Sequence, residues 1–136
     1  MEFRPAVPDD AEAVLQFWQE SGASLSVTDT VDYLRLSIAN PTGVLLLARK
    51  DTQIVGSLLG TFDGWRGHMY RLVVRPQLRR QGIGRELVAR VEPLLRERGA
   101  KRIICLIEVD RPWATAFWSA VGYGPIEHSV HVGVLE

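Results

Sequence analysis

The stretch with the strongest chemical character is Leu72-Val73-Val74-Arg75-Pro76-Gln77-Leu78-Arg79-Arg80-Gln81-Gly82-Ile83-Gly84-Arg85-Glu86-Leu87. An apolar strand-like run ends, an arginine-rich loop follows, and two glycines open a helical pattern. The first turn of a helix leaves backbone N–H groups without intrahelical partners, and these groups with the helix dipole attract anions. Gly82 and Gly84 allow a ligand to approach the backbone without interference from a Cβ. Arg75, Arg79, Arg80 and Arg85 surround the same point with positive charge, and the arginine fork suits phosphates. These residues predict a site for a diphosphate or a similar anion.

Two common phosphate motifs fit poorly. A P-loop requires a Lys followed by Ser or Thr after its second glycine, and none follows here. A dinucleotide fingerprint requires a third glycine where Leu87 stands, and places its glycines directly after a strand. Other chemistries have less support. Cys105 is the single cysteine. It reads as a small buried hydrophobe, since no base adjoins it. His68, His128 and His131 form no metal-binding constellation, so no metal is expected. Asp63-Gly64-Trp65-Arg66-Gly67 is first a hairpin turn. The turn explains Asp63, Gly64 and Gly67 but not Trp65 and Arg66, which either contact a substrate or pack in part against the protein. Trp18 has two readings, core of the first helix or wall of a substrate pocket.

The elements that would position these residues follow from hydrophobic periodicity. Glu2 to Pro5 reads as a short strand. A helix opens after Pro8, with Asp9 as its cap, and carries Val14, Phe17 and Trp18. A second helix starts after Thr28 or Asp29 and stops before Pro41. Residues 44–48 and 54–59 form a strand pair across Asp51-Thr52, and a third strand runs from about Met69 to Val74. The apolar spacing of residues 82–98 is helical, with Pro93 inside and Gly99 as the stop. Ile103 to Ile107 is apolar on both faces, as an interior strand would be. Another helix covers residues 113–121, and the alternation from Tyr123 to Leu135 suggests one or two closing strands. The order is that of a mixed α/β domain with one main sheet.

Composition is compatible with this frame. The 136 residues fall within roughly 100–200, the usual span of one domain. Hydrophobic residues at 46% and charged residues at 24% exclude bulk disorder. Sixteen basic residues balance sixteen acidic ones, so net charge gives no reason to expect nucleic acid or an anionic membrane. No apolar run nears the roughly 20 residues that span a bilayer. The first residues lack the apolar core of a signal peptide, and one cysteine permits no internal disulfide. The expectation is a cytoplasmic protein, monomer or homodimer.

The segment Val74-Arg75-Pro76-Gln77-Leu78-Arg79-Arg80-Gln81-Gly82-Ile83-Gly84 resembles motif A of the GCN5-related N-acetyltransferases (GNAT), V-x-P-x-x-R-x-x-G-x-G. The element order is similar to that family's over nearly the whole chain. Residues 60–67 resemble the hairpin of its small YpeA-type bacterial members. The resemblance implies one GNAT-like domain over residues 1–136. Its sheet would be mixed and mostly antiparallel, with splayed central strands and about four flanking helices. Acetyl-CoA would be the cosubstrate and a primary amine the acceptor, with direct transfer. Arg79, Arg80, Gln81, Gly82, Ile83, Gly84 and Arg85 would hold the coenzyme diphosphate. Leu72, Val73 and Val74 would meet the pantetheine arm, and Trp65, Arg66 and Trp18 would border the acceptor.

Amine attack on a thioester needs a base, a donor for the carbonyl oxygen and a source of protons for the thiolate. Glu108 stands where some family members carry a catalytic Glu; the other reading is a strand-end carboxylate or a partner of Arg111. Family members commonly have a Tyr where this chain has Trp118, and an indole N–H is no proton-donating acid near neutral pH. Tyr70 or solvent would then protonate the sulfur, and Trp118 would pack against the pantetheine or the core. Trp118 and Arg111, the latter where the family often has Asn, leave a second reading. In it the chain is a coenzyme-A-binding module with little or no activity. A third reading is a different nucleotide-dependent enzyme.

Overall fold

The computed structural model describes residues 1–107 and 111–135, which fall into two compact units, residues 1–106 and 107–136. The first unit is built around a hairpin. Its strands are β2 (Gly43–Lys50) and β3 (Gln53–Phe62), and Asp51 and Thr52 join them at φ of 52° and 69°. Two successive left-handed residues give a turn whose twist matches that of the strands it connects. Strand β1 (Glu2–Pro5) pairs antiparallel with β2, and β4 (Gly67–Val74) pairs antiparallel with β3. Strand β5 (Ile103–Cys105) joins β4 in parallel, so the sheet order is β1-β2-β3-β4-β5.

Both faces of the sheet carry helices, because successive strand residues point to opposite sides. One side receives α1 (Ala11–Glu20) and α2 (Val31–Ala39). There Val14, Phe17, Trp18 and Leu34 bury themselves with Leu45 and Leu47, and Leu59 and Val73 pack alongside. The other side receives α3 (Ile83–Arg98), whose Ile83, Leu87, Val91 and Leu95 are buried. Glycines in β3 bring α3 close: a Cβ on Gly56 would lie 2.9 Å from Ile83, and one on Gly60 2.6 Å from Val91.

Several boundaries differ from the expectation. Asp9 caps nothing; residues 8–10 form a 3-10 turn, and α1 begins at Ala11 without a side-chain cap. The neighbouring Asp10 instead accepts from the Arg4 guanidinium at 2.8 and 3.0 Å and from the Val7 N–H at 2.7 Å. Helix α2 starts after Thr30, whose Oγ1 accepts from the Tyr33 N–H at 3.3 Å. Asp29 is drawn away to the Ser26 N–H and the Arg71 guanidinium. Strand β5 is shorter than its apolar run, half-buried, and the last strand of the sheet among the described residues. In the second unit, α4 (Pro112–Ala120) ends near Gly122, whose φ is 100°. No strand occurs among the described residues from 123 to 135. The alternating Val130, Val132 and Val134 are exposed there, since alternation makes a strand only with a ladder partner.

Candidate functional site

The loop between β4 and α3 is shaped by its own residues. Pro76 starts a 3-10 turn over residues 76–78, and Arg79 is extended. Arg80 then turns left-handed at φ 65°, and Gly82 does so again at φ 86°. For Arg80 that conformation costs about 1–2 kcal/mol, whereas for Gly82 it is free of the Cβ clash. The Glu86 N–H makes the helix's first backbone bond, to the Gly82 carbonyl at 3.0 Å. The N–H groups of Ile83, Gly84 and Arg85 precede that closure, and no side chain caps them. Glu86, the acid of the helix's first turn, accepts from Arg90 Nε–H at 2.8 Å. A Cβ on Gly82 would meet no atom within 4 Å, so the mouth of this turn is open. Arg80, Gln81 and Arg85 are exposed beside it, and Arg79 is half-buried. The arrangement is an uncapped, cationic helix start that fits a diphosphate.

Arg75 is committed elsewhere. Its Nε–H donates to the Ile54 carbonyl at 2.8 Å, its Nη1 reaches Glu20 at 3.0 Å, and its guanidinium lies 5.2 Å from the Phe17 ring. It pins the end of β4 to β3 and α1.

The neighbouring edge of β4 is unusual in phase. Ser57 faces Val73 across the sheet, whereas Leu59 faces Tyr70, so three steps on β4 match two on β3. The extra residue is a β-bulge, and Arg71 within it is left-handed at φ 56°. Val73 pairs with Ser57, and the Arg75 N–H donates to the Val55 carbonyl at 2.9 Å. These odd positions therefore address β3. Strand alternation turns the backbones of Leu72 and Val74 to the opposite edge. Strand β5 pairs with β4 only at Gly67, His68 and Met69, with one further bond from the Leu106 N–H to the Met69 carbonyl at 3.2 Å. Among the described residues the pairing of the two strands goes no further. The backbones of Leu72 and Val74 thus face an edge with no strand partner among the described residues.

Tyr70 and His68 project from the same face of β4, with ring centroids 6.0 Å apart. Burial, and secondarily the charge of Asp63, pushes the Tyr70 phenol above its ordinary pKa, so it is protonated at neutral pH. At the β3–β4 turn, the Asp63 carboxylate accepts from the Trp65 N–H at 2.8 Å and the Arg66 N–H at 2.7 Å. Those bonds hold Asp63 below the usual carboxylate range. Trp65 is 73% exposed, with the Arg66 guanidinium 4.0 Å over its ring. Trp18, by contrast, is 1% exposed, and its indole N–H donates to Ser57 Oγ at 2.9 Å. In the second unit Trp118 is buried on α4, edge-on to Phe117 and Tyr123 at 5.4 and 5.3 Å. Glu108 lies outside the described residues.

The sequence profile of the acetyltransferase (GNAT) family matches residues 11–123. The chain belongs to that family. An acetyltransferase of Pectobacterium atrosepticum is 29% identical over 127 residues, covering 93% of this chain and 90% of the relative. An acetyltransferase of Photorhabdus laumondii is 31% identical over 110 residues, covering 81% and 77%. Among solved structures, the PaiA N-acetyltransferase of Thermoplasma acidophilum in complex with coenzyme A has the same fold. Its TM-score is 0.84 at 16% identity, over 94% of this chain and 92% of that one.

For an acetyltransferase, the thiol of Cys105 is a poor acyl carrier. Burial, with the charge of Glu92, pushes it up to about 12, so the nucleophilic thiolate is scarce. Three residues next to the candidate site escaped the sequence reading: Ser57, Arg71 and Asp29. Ser57 had a signal, as a lone hydroxyl inside the apolar run Ile54 to Leu59. Arg71 also had one, as a charge inside the apolar run Met69 to Val74. Nothing local marked Asp29 as their companion.

Proposed function

We propose that this acetyltransferase moves the acetyl group of acetyl-CoA directly to a primary amine on a small molecule, a peptide N-terminus or a lysine side chain. The observation that carries the reading is the uncapped start of α3 beside an edge of β4 that, among the described residues, has no strand partner past Met69, both in the same unit. Acetyl-CoA, when bound, supplies an activated acyl thioester. The amides from Arg79 to Gly84 hold its diphosphate, and Arg80 and Arg85 add charge. Leu72 and Val74 bind the pantetheine arm through their backbones, whereas Val73, expected beside them, has its backbone paired with Ser57 on β3. The N–H of Val74 is the donor for charge that develops on the acyl oxygen. Tyr70, protonated at neutral pH, gives a proton to the departing sulfur. Glu108 is assigned as the base that takes the proton of the amine, on its place in the sequence. Trp118 is assigned to the pantetheine on its place in the sequence.

Trp65 and Arg66 border the acceptor at the exposed hairpin. Trp18 serves the acceptor side from beneath, through Ser57 and Arg71, rather than with its own face. No helix among the described residues is long and apolar enough to cross a membrane, and we place the reaction in the cytoplasm.

Calorimetric titration with acetyl-CoA, with ATP and NAD as controls, tests the cofactor. Saturable binding of acetyl-CoA alone supports the reading, and its abolition by Gly82→Asp ties it to this turn. Release of free thiol with an amine then separates an enzyme from the second reading, a coenzyme-A-binding module, which Trp118 at the usual Tyr position favours. That module predicts binding with no thiol released from any amine.

A further inference from the structure

We propose that Ser57 is a positioning residue for acyl transfer, acting through the left-handed turn at Arg71; the inference rests on the cofactor reading above. Ser57 is 0% exposed in the middle of β3. Its Oγ accepts from the Trp18 indole N–H at 2.9 Å and donates to the Arg71 carbonyl at 2.9 Å. The direction of this relay is fixed, because an indole N–H only donates and a carbonyl only accepts. The single hydroxyl proton therefore has one destination, the carbonyl of the bulge.

That carbonyl belongs to a residue in a conformation that a side chain disfavours. Arg71 at φ 56° is held from two directions. Ser57 takes its backbone, and Asp29 takes its guanidinium, which lies 5.1 Å from the Trp18 ring. Strained conformations persist where the surroundings over-determine them, and such places cluster at functional sites.

The consequence is one of phase. The register that pairs Leu59 with Tyr70 would, if continued, pair Ser57 with Leu72 and Val55 with Val74, and spend both backbones on β3. The extra residue moves the pairing to Val73 and Arg75, and turns Leu72 and Val74 to the edge that has no strand partner among the described residues. The Ser57 hydroxyl holds the turn that makes this shift. It lies across the strand from the thioester's edge and touches neither reactant, so its effect passes through the Arg71 backbone.

The test compares wild type with Ser57→Ala and Ser57→Thr, assayed well below each variant's melting temperature. Ser57→Ala is expected to lower kcat by about 10- to 100-fold, as for a reacting group displaced by a fraction of an ångström. Binding of coenzyme A should weaken by no more than about 3-fold, since its diphosphate grip at the start of α3 is untouched, and the amide resonances of Leu72 and Val74 should move. Ser57→Thr, which keeps the hydroxyl, should recover most of the rate. If Ser57→Ala fails to fold, Trp18→Phe removes the relay's first donor and should lower kcat in the same direction with the indole resonance gone. A folded Ser57→Ala protein with wild-type kcat and only a lower melting temperature would overturn the proposal. Wild-type protein that neither binds acetyl-CoA nor releases thiol would instead overturn the cofactor reading, and this inference with it.

Discussion

Gly60 of β3 lies so close to Val91 of α3 that a Cβ on Gly60 would stand 2.6 Å from Val91 Cγ1. Real Cβ atoms do not approach this closely, so the helix or the strand must shift to admit even a methyl group. Both are buried, and neither partner is the far end of a flexible chain. Gly60→Ala is therefore expected to destabilise the fold by about 1–3 kcal/mol, the usual range for overpacking. Urea denaturation would show this as a lower midpoint at unchanged slope. Because α3 also carries the proposed diphosphate-binding turn at its start, the KM for acetyl-CoA should rise in the same variant.

The two arginines nearest that turn should behave differently. Arg75 is held by Ile54, Glu20 and the ring of Phe17, whereas Arg80 is exposed and, among the described residues, pairs with no carboxylate. Arg80→Ala is expected to weaken acetyl-CoA binding by about 1 kcal/mol or more, the scale of one charge-assisted bond. It should also flatten the salt dependence of binding. Arg75→Ala should lower thermal stability and leave the salt dependence as it was. Calorimetry at two salt concentrations separates the outcomes. An Arg75 variant with flattened salt dependence would return that residue to the diphosphate site.

The elements were legible where periodicity was strong. The helical spacing of Ile83, Leu87, Val91 and Leu95 appears in the structure as the buried face of α3, and Gly99 ends the helix at φ 116°. The turn at Asp51-Thr52 and the glycines before α3 were readable for the same reason: local chemistry decides them. The bulge at Arg71 was not. A one-residue slip changes no composition and is set by what holds it, here Ser57 and Asp29, which are 14 and 42 residues away in the chain. Strand β5 was overestimated because the apolar run Ile103 to Ile107 outlasts its partner: β4 stops pairing with it at Met69. Val130, Val132 and Val134 misled in the same way, since period-two alternation states a preference that only a neighbouring strand can satisfy. The Trp65–Arg66 stack was invisible, because a turn motif accounts for the backbone and says nothing of side chains beyond it.

Acid should weaken the first unit through Asp10. The Arg4 guanidinium, and then the Val7 N–H, hold its carboxyl below the usual range despite partial burial. A carboxylate whose folded pKa is depressed contributes its full stabilisation above its unfolded value of about 4. That contribution is lost as pH falls through the folded value. Asp10→Asn should cost about 1 kcal/mol at pH 7, discounted because the pair is partly solvated. The difference between variant and wild type should shrink steadily below pH 4. Melting temperatures measured from pH 7 to pH 2 would show the two curves converging. Parallel curves would mean that the charge of the Asp10 carboxylate contributes nothing to folding.

Tyr70 offers the sharpest test of the proton donor. Burial raises its phenol above the usual tyrosine value, and the Asp63 charge adds to the effect, so the group stays neutral and able to donate through the whole neutral range. As the acid for the departing sulfur, it would sustain kcat until pH passes the ordinary tyrosine value of about 10, and lose it above. Tyr70→Phe should lower kcat at neutral pH by about 100-fold, at the lower end for a general acid, and remove the alkaline fall. Affinity for acetyl-CoA should not change, since the phenol acts after binding. The ionisation itself can be followed by absorbance near the phenolate band: the wild-type minus Tyr70→Phe difference isolates this residue from Tyr33 and Tyr123. A difference titration that lies above the free tyrosine value, together with a matching alkaline limb in kcat, would assign the acid to Tyr70. A Tyr70→Phe enzyme with wild-type kcat would leave the proton to solvent, and the half-buried phenol would then be a packing group of β4 stacked on His68.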